Sequence, residues 1–352
     1  MQTNLGVVDD PRIEEHKEKD YKHCEIASGD KKIKVEWVEK LKDEWRKFPI
    51  RNQDGSSSCV AQSIAKILGI NNFLEEKEFV ELSAKDIYMR RENSGEQGMW
   101  GIDALKIACD FGATLESLFQ SQNIGEEEIN KVDGYTKYKN QIAKIFKGKN
   151  FVTLPFDIDL IGEQIQKGRG VLLFFKFDNE EWSDYPIIIN DNPKLHHAVV
   201  GVDTTTVDGE KAIVIDDSWG EFYGLDGQRI ITESFIKERL TFAGYIVDLQ
   251  NDWRDEKDKE GEKPKHEFTE RMKFSTNFNI SEEVKWLQKV LIYENLFPVN
   301  VDITGYYGSI TRKAVLKFQF KHKVAEDNEL YELDGREVGP KTLAKLNELY
   351  NE

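Results

Sequence analysis

Arg51-Asn52-Gln53-Asp54-Gly55-Ser56-Ser57-Ser58-Cys59-Val60-Ala61-Gln62-Ser63-Ile64-Ala65-Lys66-Ile67-Leu68 is the stretch on which the reading of the chain turns. Its first half is a Gly/Ser-rich loop. Its second half carries Val60, Ile64, Ile67 and Leu68 at helical spacing, with Gly69 as the expected stop. The loop therefore delivers Cys59 to the first turn of a helix that is apolar on one face. A helix N-terminus presents unpaired N–H groups and a partial positive charge, which favour thiolate over thiol. Thiolate is the nucleophilic form of cysteine. Gln53, six positions earlier, is placed for its amide to curl back and donate to an oxyanion beside the sulfur. The Cys59 backbone N–H is the second donor. Taken alone, the stretch also fits a buried structural cysteine, so the reading requires a base.

The chain has six histidines, few enough to audit one by one. His16 and His23 fall in a polar N-terminal arm, His266 in a charged stretch and His322 near the C-terminus. Only His196 and His197 stand directly before an apolar strand, His196-His197-Ala198-Val199-Val200-Gly201. Neighbours in a strand point to opposite faces, so one of the two faces away from the other's partners. One hairpin later comes Ile215-Asp216-Asp217-Ser218-Trp219-Gly220. A carboxylate there would fix the imidazole tautomer and stabilise the imidazolium.

These motifs resemble the papain family of cysteine peptidases. That family has Gln-x-x-x-x-x-Cys entering its central helix, a histidine opening a His-Ala-Val strand, and Asn-Ser-Trp-Gly beyond it. The resemblance covers about Phe48 to Leu249. It implies Cys59 as nucleophile, His197 as base, Asp217 as its orienter and Gln53 at the oxyanion, with Trp219 shielding the His–Asp bond. Gly98-Met99-Trp100-Gly101 is similar to the loop that lines the family's substrate cleft, which implies Gly98, Met99 and Trp219 as substrate contacts. Ser57 and Ser58 depart from the family's Gly/Cys-rich loop, and two further positions depart from its pattern: Val60 where Trp is usual, and Asp217 where Asn is usual. These departures keep an alternative open, a papain-like scaffold without catalysis that acts in structure or adhesion.

Working outward, helices are expected over Ser83–Arg91 and Gly101–Phe111. Strands are expected over Val171–Phe177, Ala198–Val202, Ala212–Ile215, Gln228–Thr232 and Ala243–Leu249. Val207-Asp208-Gly209-Glu210 is a hairpin signal. A helical half followed by a β half gives an α+β fold of two lobes, one helical and one barrel-like in β structure. Residues 1–47 are expected to form an N-terminal arm or a short pro-like extension, with a short strand or helix from Lys31 to Lys47 that could dock on the main domain. The peptidase-like domain spans 48–249. Residues 250–280 are so charged that they form a linker. Residues 281–352 resume helical periodicity. There, Val284-x-x-Leu287-Gln288, Thr304-Gly305-Tyr306-Tyr307-Gly308 and Gly339-Pro340-Lys341-Thr342 resemble the small three-helix peptidoglycan-binding domain. Tyr306 and Tyr307 are either a wall-contacting rim or core.

A formal net charge of −16 over 352 residues argues against nucleic-acid tracking and against docking on anionic lipid. No apolar run is long enough to span a bilayer, and Met1–Tyr21 has no signal-peptide pattern. Three cysteines, none in a CxxC pair, suit a reducing compartment and suggest neither a disulfide framework nor zinc. The reading needs no cofactor and no metal. Its partners are a polypeptide or wall-peptide substrate and peptidoglycan. Action is expected at the bacterial cell wall, with lysis or a bacteriophage particle as the route there.

Overall fold

The computed structural model describes residues 6–8, 32–41, 48–76, 79–249, 263–275, 279–297 and 303–351. The chain forms two compact units, Met1–Gln250 and Asn251–Glu352. In the first, the helices are α1 (Cys59–Glu76), α2 (Ala84–Tyr88), α3 (Gly101–Asp110), α4 (Glu126–Ile129), α5 (Lys137–Ile145), α6 (Ile158–Gln166) and α7 (Glu233–Arg239). The strands are β1 (Gly148–Thr153), β2 (Val171–Phe177), β3 (Leu195–Val207), β4 (Glu210–Asp216), β5 (Gln228–Thr232) and β6 (Leu240–Leu249). They make one antiparallel sheet in the order β1-β6-β2-β3-β4-β5. This is an α+β fold, as expected.

The apolar run of β2 is continuous because the strand is covered on both faces. Val171, Leu173, Phe175 and Phe177 meet Ile161 and Ile165 of α6 and Phe235 of α7 in one core cluster. From α1, Ile67 and Ile70 crowd Gly170 just before β2, together with Val200 of β3. Helix α1 runs past its expected stop to Glu76. Gly69 lies inside it because a Cβ there would stand 2.7 Å from the Val80 carbonyl oxygen and from the Phe79 ring. Its role is close packing, for which the helix accepts the entropic cost of glycine. The β3–β4 hairpin turns on Asp208 and Gly209 at φ 50° and 85°, with Val207 paired to Glu210. Two left-handed residues in a two-residue loop define a type I′ turn, whose twist matches the strands it joins.

Within the arm, residues 32–41 do dock, but as neither helix nor strand. The Glu36 amide donates to Gln166 Oε1 of α6 at 3.0 Å. The Lys40 and Leu41 amides donate to the Asp203 carboxylate of β3 at 3.2 and 2.9 Å. Side-chain acceptors take the place of a ladder, which apolar periodicity cannot foretell. Residues 42–47 lie outside the described ones.

The second unit holds α8 (Glu282–Tyr293), α9 (Ser309–Lys321), α10 (Asp327–Leu333) and α11 (Pro340–Tyr350), with short strands β7 (Met272–Lys273) and β8 (Glu337–Val338) paired antiparallel. Gln288 organises its centre. Its Oε1 accepts from the amides of Thr304 and Gly305 at 2.9 Å, and its Nε2 donates to the Tyr306 carbonyl at 3.0 Å. Tyr306 and Tyr307 are buried, 7% and 2% exposed, with hydroxyls donating to the carbonyls of Ser275 and Gly335. Neither forms a rim, so the wall-contact expectation for both is corrected to core packing.

The expected linker also needs narrowing. Residues 251–262 are not among those described, but 263–275 pack within the second unit. Asn347 brackets the Phe268 backbone, accepting from its amide at 2.7 Å and donating to its carbonyl at 2.8 Å. Phe268 and Met272 are buried. Two apolar anchors inside a charged run were outweighed by its composition.

Candidate active site

Cys59 is the first residue of α1, whose opening hydrogen bond runs from the Gln62 amide to the Ser58 carbonyl at 2.8 Å. The loop before it turns through Asp54 and Gly55, at φ 44° and 77°. It is tied across to the end of β4. The Gln53 amide donates to the Ser218 carbonyl at 2.9 Å, and Ser218 Oγ donates to Gln53 Oε1 at 2.7 Å. Gln53 Nε2 donates to the Ser56 carbonyl at 2.5 Å. An amide nitrogen carries two hydrogens, so one is left for another acceptor.

The hairpin brings His197 and Asp217 together. In β3–β4 pairing, Val200 stands opposite Asp216, which sets residue 217 beside the start of β3. His197 Nε2 meets Asp217 Oδ1 at 2.6 Å, both side chains buried. The other ring nitrogen, Nδ1, is buried without a hydrogen-bond partner. Trp219 lies over the imidazole at 4.8 Å between centroids, and Trp182 meets it edge-on at 6.0 Å. His196 is half-buried on the alternate face, opposite Lys176. Burial by itself lowers the imidazole pKa. The Asp217 charge and hydrogen bond, with a further contribution from Cys59, outweigh it and push the value up to about 9. For Asp217, burial opposes ionisation, but His197, Arg229 and Trp182 together hold its pKa below the ordinary carboxylate value.

Gly98 and Met99 lie just before α3, and their backbone is engaged by other parts of the chain. The Met99 amide donates to the Gly6 carbonyl at 2.7 Å, and the Val8 amide donates to the Met99 carbonyl at 3.3 Å. Val7 thus pairs with Met99 as a parallel bridge. Only glycine fits at position 6, since a Cβ there would lie 1.7 Å from the Ser57 carbonyl oxygen. With the arm seated this way, Cys59 and His197 have no exposed surface. Beyond Trp219 opens a cavity of about 540 Å³ lined by aromatic residues, among them Trp182, Tyr185, Phe222 and Tyr223.

A helix-borne thiol, an imidazole and a carboxylate thus lie together near the start of β3 and the end of β4. Residues 34–237 match the model of the papain family cysteine proteases, and the chain belongs to that family. Residues 281–346 match a peptidoglycan-binding domain. No curated protein matches the chain. Among solved structures it is similar to xylellain, a cysteine protease from Xylella fastidiosa, at 17% identity and TM-score 0.58, covering 71% of this chain and 97% of that one. It is also similar to the proform of Amb a 11, a ragweed pollen cysteine protease, at 15% identity and TM-score 0.51, covering 65% and 74%. At such identities these likenesses speak for the fold alone. Among the described residues no helix is long and apolar enough to cross a membrane, and no cluster of His, Cys, Asp and Glu could hold a metal ion.

Sequence reasoning missed Trp182 and Arg229, which both donate to Asp217 Oδ2 at 3.1 Å. A faint signal existed for Arg229. It is a lone charge in the strand Gln228-Arg229-Ile230-Ile231-Thr232, and such a charge is buried only when paired. Trp182 sits in an irregular connection, where nothing local marks it.

The raised imidazole gives a test of sign. A group whose folded pKa is raised contributes stability that is complete below its unfolded value near 6.5 and is lost as pH rises through about 9. NMR titration of His197 should therefore give a midpoint near 9. In Asp217→Ala, burial acts unopposed by that carboxylate, and the midpoint should fall below 6.5.

Proposed function

We propose that this papain-family protease cleaves peptide bonds through Cys59, His197, Asp217 and Gln53, and that its C-terminal unit holds it at the bacterial cell wall. The observation that carries this reading is the 2.6 Å bond from His197 Nε2 to Asp217. It fixes the tautomer and leaves Nδ1 for the Cys59 thiol. The thiol proton rests on Nδ1, which leaves a thiolate beside an imidazolium, and the thiolate attacks the scissile carbonyl carbon. The oxyanion that forms accepts from the Cys59 amide and from the spare hydrogen of Gln53 Nε2. The imidazolium then protonates the leaving amine, the C–N bond breaks, and an acyl-enzyme remains. Water, deprotonated by Nδ1, cleaves the thioester and frees Cys59.

Cys59→Ala and His197→Ala should each abolish hydrolysis of a peptide substrate, while His196→Ala should be mild. Gln53→Ala should lower kcat by about 10²–10³-fold with KM little changed. Turnover by Cys59→Ala above a contaminant control would overturn the nucleophile assignment.

Gly6–Val8 takes up backbone groups of Met99 that an extended substrate needs, so the arm competes with substrate from within the chain. Deleting residues 1–8 should lower KM for a small peptide and leave kcat unchanged, because an intramolecular competitor reduces only the fraction of open site. A loss of kcat on deletion would instead make the arm part of the working site.

The wall half of the proposal rests on the peptidoglycan-binding unit. Residues 263–352 should sediment with purified peptidoglycan. Protein ending at residue 250 should keep its activity on soluble peptide but lose it on walls, since tethering raises local substrate concentration. Comparing peptide release from peptidoglycan with cleavage of wall-embedded protein identifies which of the two is the substrate.

A further inference from the structure

The carboxylate that orients His197 is held from behind by two donors. Asp217 Oδ1 accepts from His197 at 2.6 Å and from the Ser218 amide at 2.7 Å. Oδ2 accepts from Arg229 Nε and Trp182 Nε1, each at 3.1 Å. Four donors fill the acceptor capacity of one carboxylate, and all four are N–H groups. An amide at this position would turn its NH₂ toward either the Arg229–Trp182 pair or the imidazole. In the first case two donors face a donor. In the second the NH₂ donates to Nε2, which forces the proton onto Nδ1 and removes the base.

Arg229 is 4% exposed and lies between the rings of Trp182 and Trp219, with its guanidinium carbon 5.4 and 5.6 Å from their centroids. Its position is set by β5, where it pairs in register with Ile215. The other charges nearby are accounted for. Asp184 stands 3.9 Å from Arg229 and is half exposed. Asp216 is paired with Lys66 of α1 and accepts from Gln228 of β5. Across the imidazole stands Cys59 of α1. Arg229 is therefore the cation that meets Asp217 from the side away from His197.

We propose that Arg229, with the Trp182 indole, is the positioning element that commits this site to an aspartate, holding Asp217 ionised with Oδ1 turned to the imidazole. The inference rests on the catalytic roles proposed above for His197 and Asp217. It assigns Arg229 a function through Asp217, not on the substrate. An opposite charge within a few ångströms lowers a carboxyl pKa by about 1–3 units, so its loss should be read on the acid side of the pH profile.

The test is a cycle at positions 217 and 229, with kcat/KM measured against pH. Arg229→Gln should move the acid limb upward by about one unit or more. Asp217→Asn should lower kcat by about 10⁴-fold, the scale of a wrong imidazole tautomer. In the double variant the glutamine placed at 229 offers a carbonyl that accepts from the NH₂ of the asparagine placed at 217. That asparagine then turns its own oxygen back to the imidazole, and the double variant should exceed Asp217→Asn by at least about tenfold. An unshifted acid limb in Arg229→Gln, or a double variant no better than Asp217→Asn, overturns the proposal. If Arg229→Gln does not fold, Arg229→Lys serves. It keeps the charge without the fork, so kcat should fall with the acid limb in place, and an upward shift there overturns the proposal. Failure of the peptidase reading itself would show separately, as hydrolysis that survives Cys59→Ala.

Discussion

A buried carboxylate is tolerated only when its charge and lone pairs are met, and the first unit is arranged around meeting those of Asp217. Four N–H donors reach it from β3, β5, the connection after β2 and its own chain neighbour. Each comes from a different part of the sheet region, so the geometry of Asp217 is set by tertiary packing. The same packing lets one imidazole be buried and still be a strong base. Without the carboxylate, burial would drive that imidazole toward the neutral form at an ordinary pH. With it, the ring keeps its proton through neutrality.

The sheet supplies the rigidity this arrangement needs. A type I′ turn fixes the register of β3 against β4, and that register decides that His197, and not His196, meets Asp217. The loop before α1 is stitched to the end of β4 through Gln53 and Ser218. Gln53, Ser218, Asp217 and His197 are thus tied in one hydrogen-bonded circuit. The arm closes over it by two backbone bonds at Met99 and by a glycine that slips against Ser57.

Much of this was legible in the sequence where function compresses into short motifs. Cys59 at a helix start, His197 before an apolar strand and Asp217 before Ser-Trp-Gly could be placed because each motif carries its own local structure. Five of the six strands were legible from their apolar residues, whereas β1, Gly-Lys-Asn-Phe-Val-Thr, carries too few to mark it. What escaped was carried by long-range pairing. Arg229 and Trp182 have meaning only once β5 and the connection after β2 are folded beside β4. Gly69 looked like a stop because its reason for being glycine is Phe79 and Val80. Rim or core was left open for Tyr306 and Tyr307, and their hydroxyls find carbonyl partners inside the second unit. Charge density in 250–280 hid the anchors Phe268 and Met272.

The central claim is that Cys59 is held as an activated thiol by a buried imidazole–carboxylate pair. It is most directly tested by alkylation with iodoacetamide at pH 6, on protein freed of residues 1–8, with each cysteine followed by peptide mass spectrometry. Cys59 should react much faster than Cys24 and Cys109, and His197→Ala should abolish the difference. A Cys59 that reacts no faster than the other two, with a rate climbing toward alkaline pH as for an ordinary thiol, would contradict it.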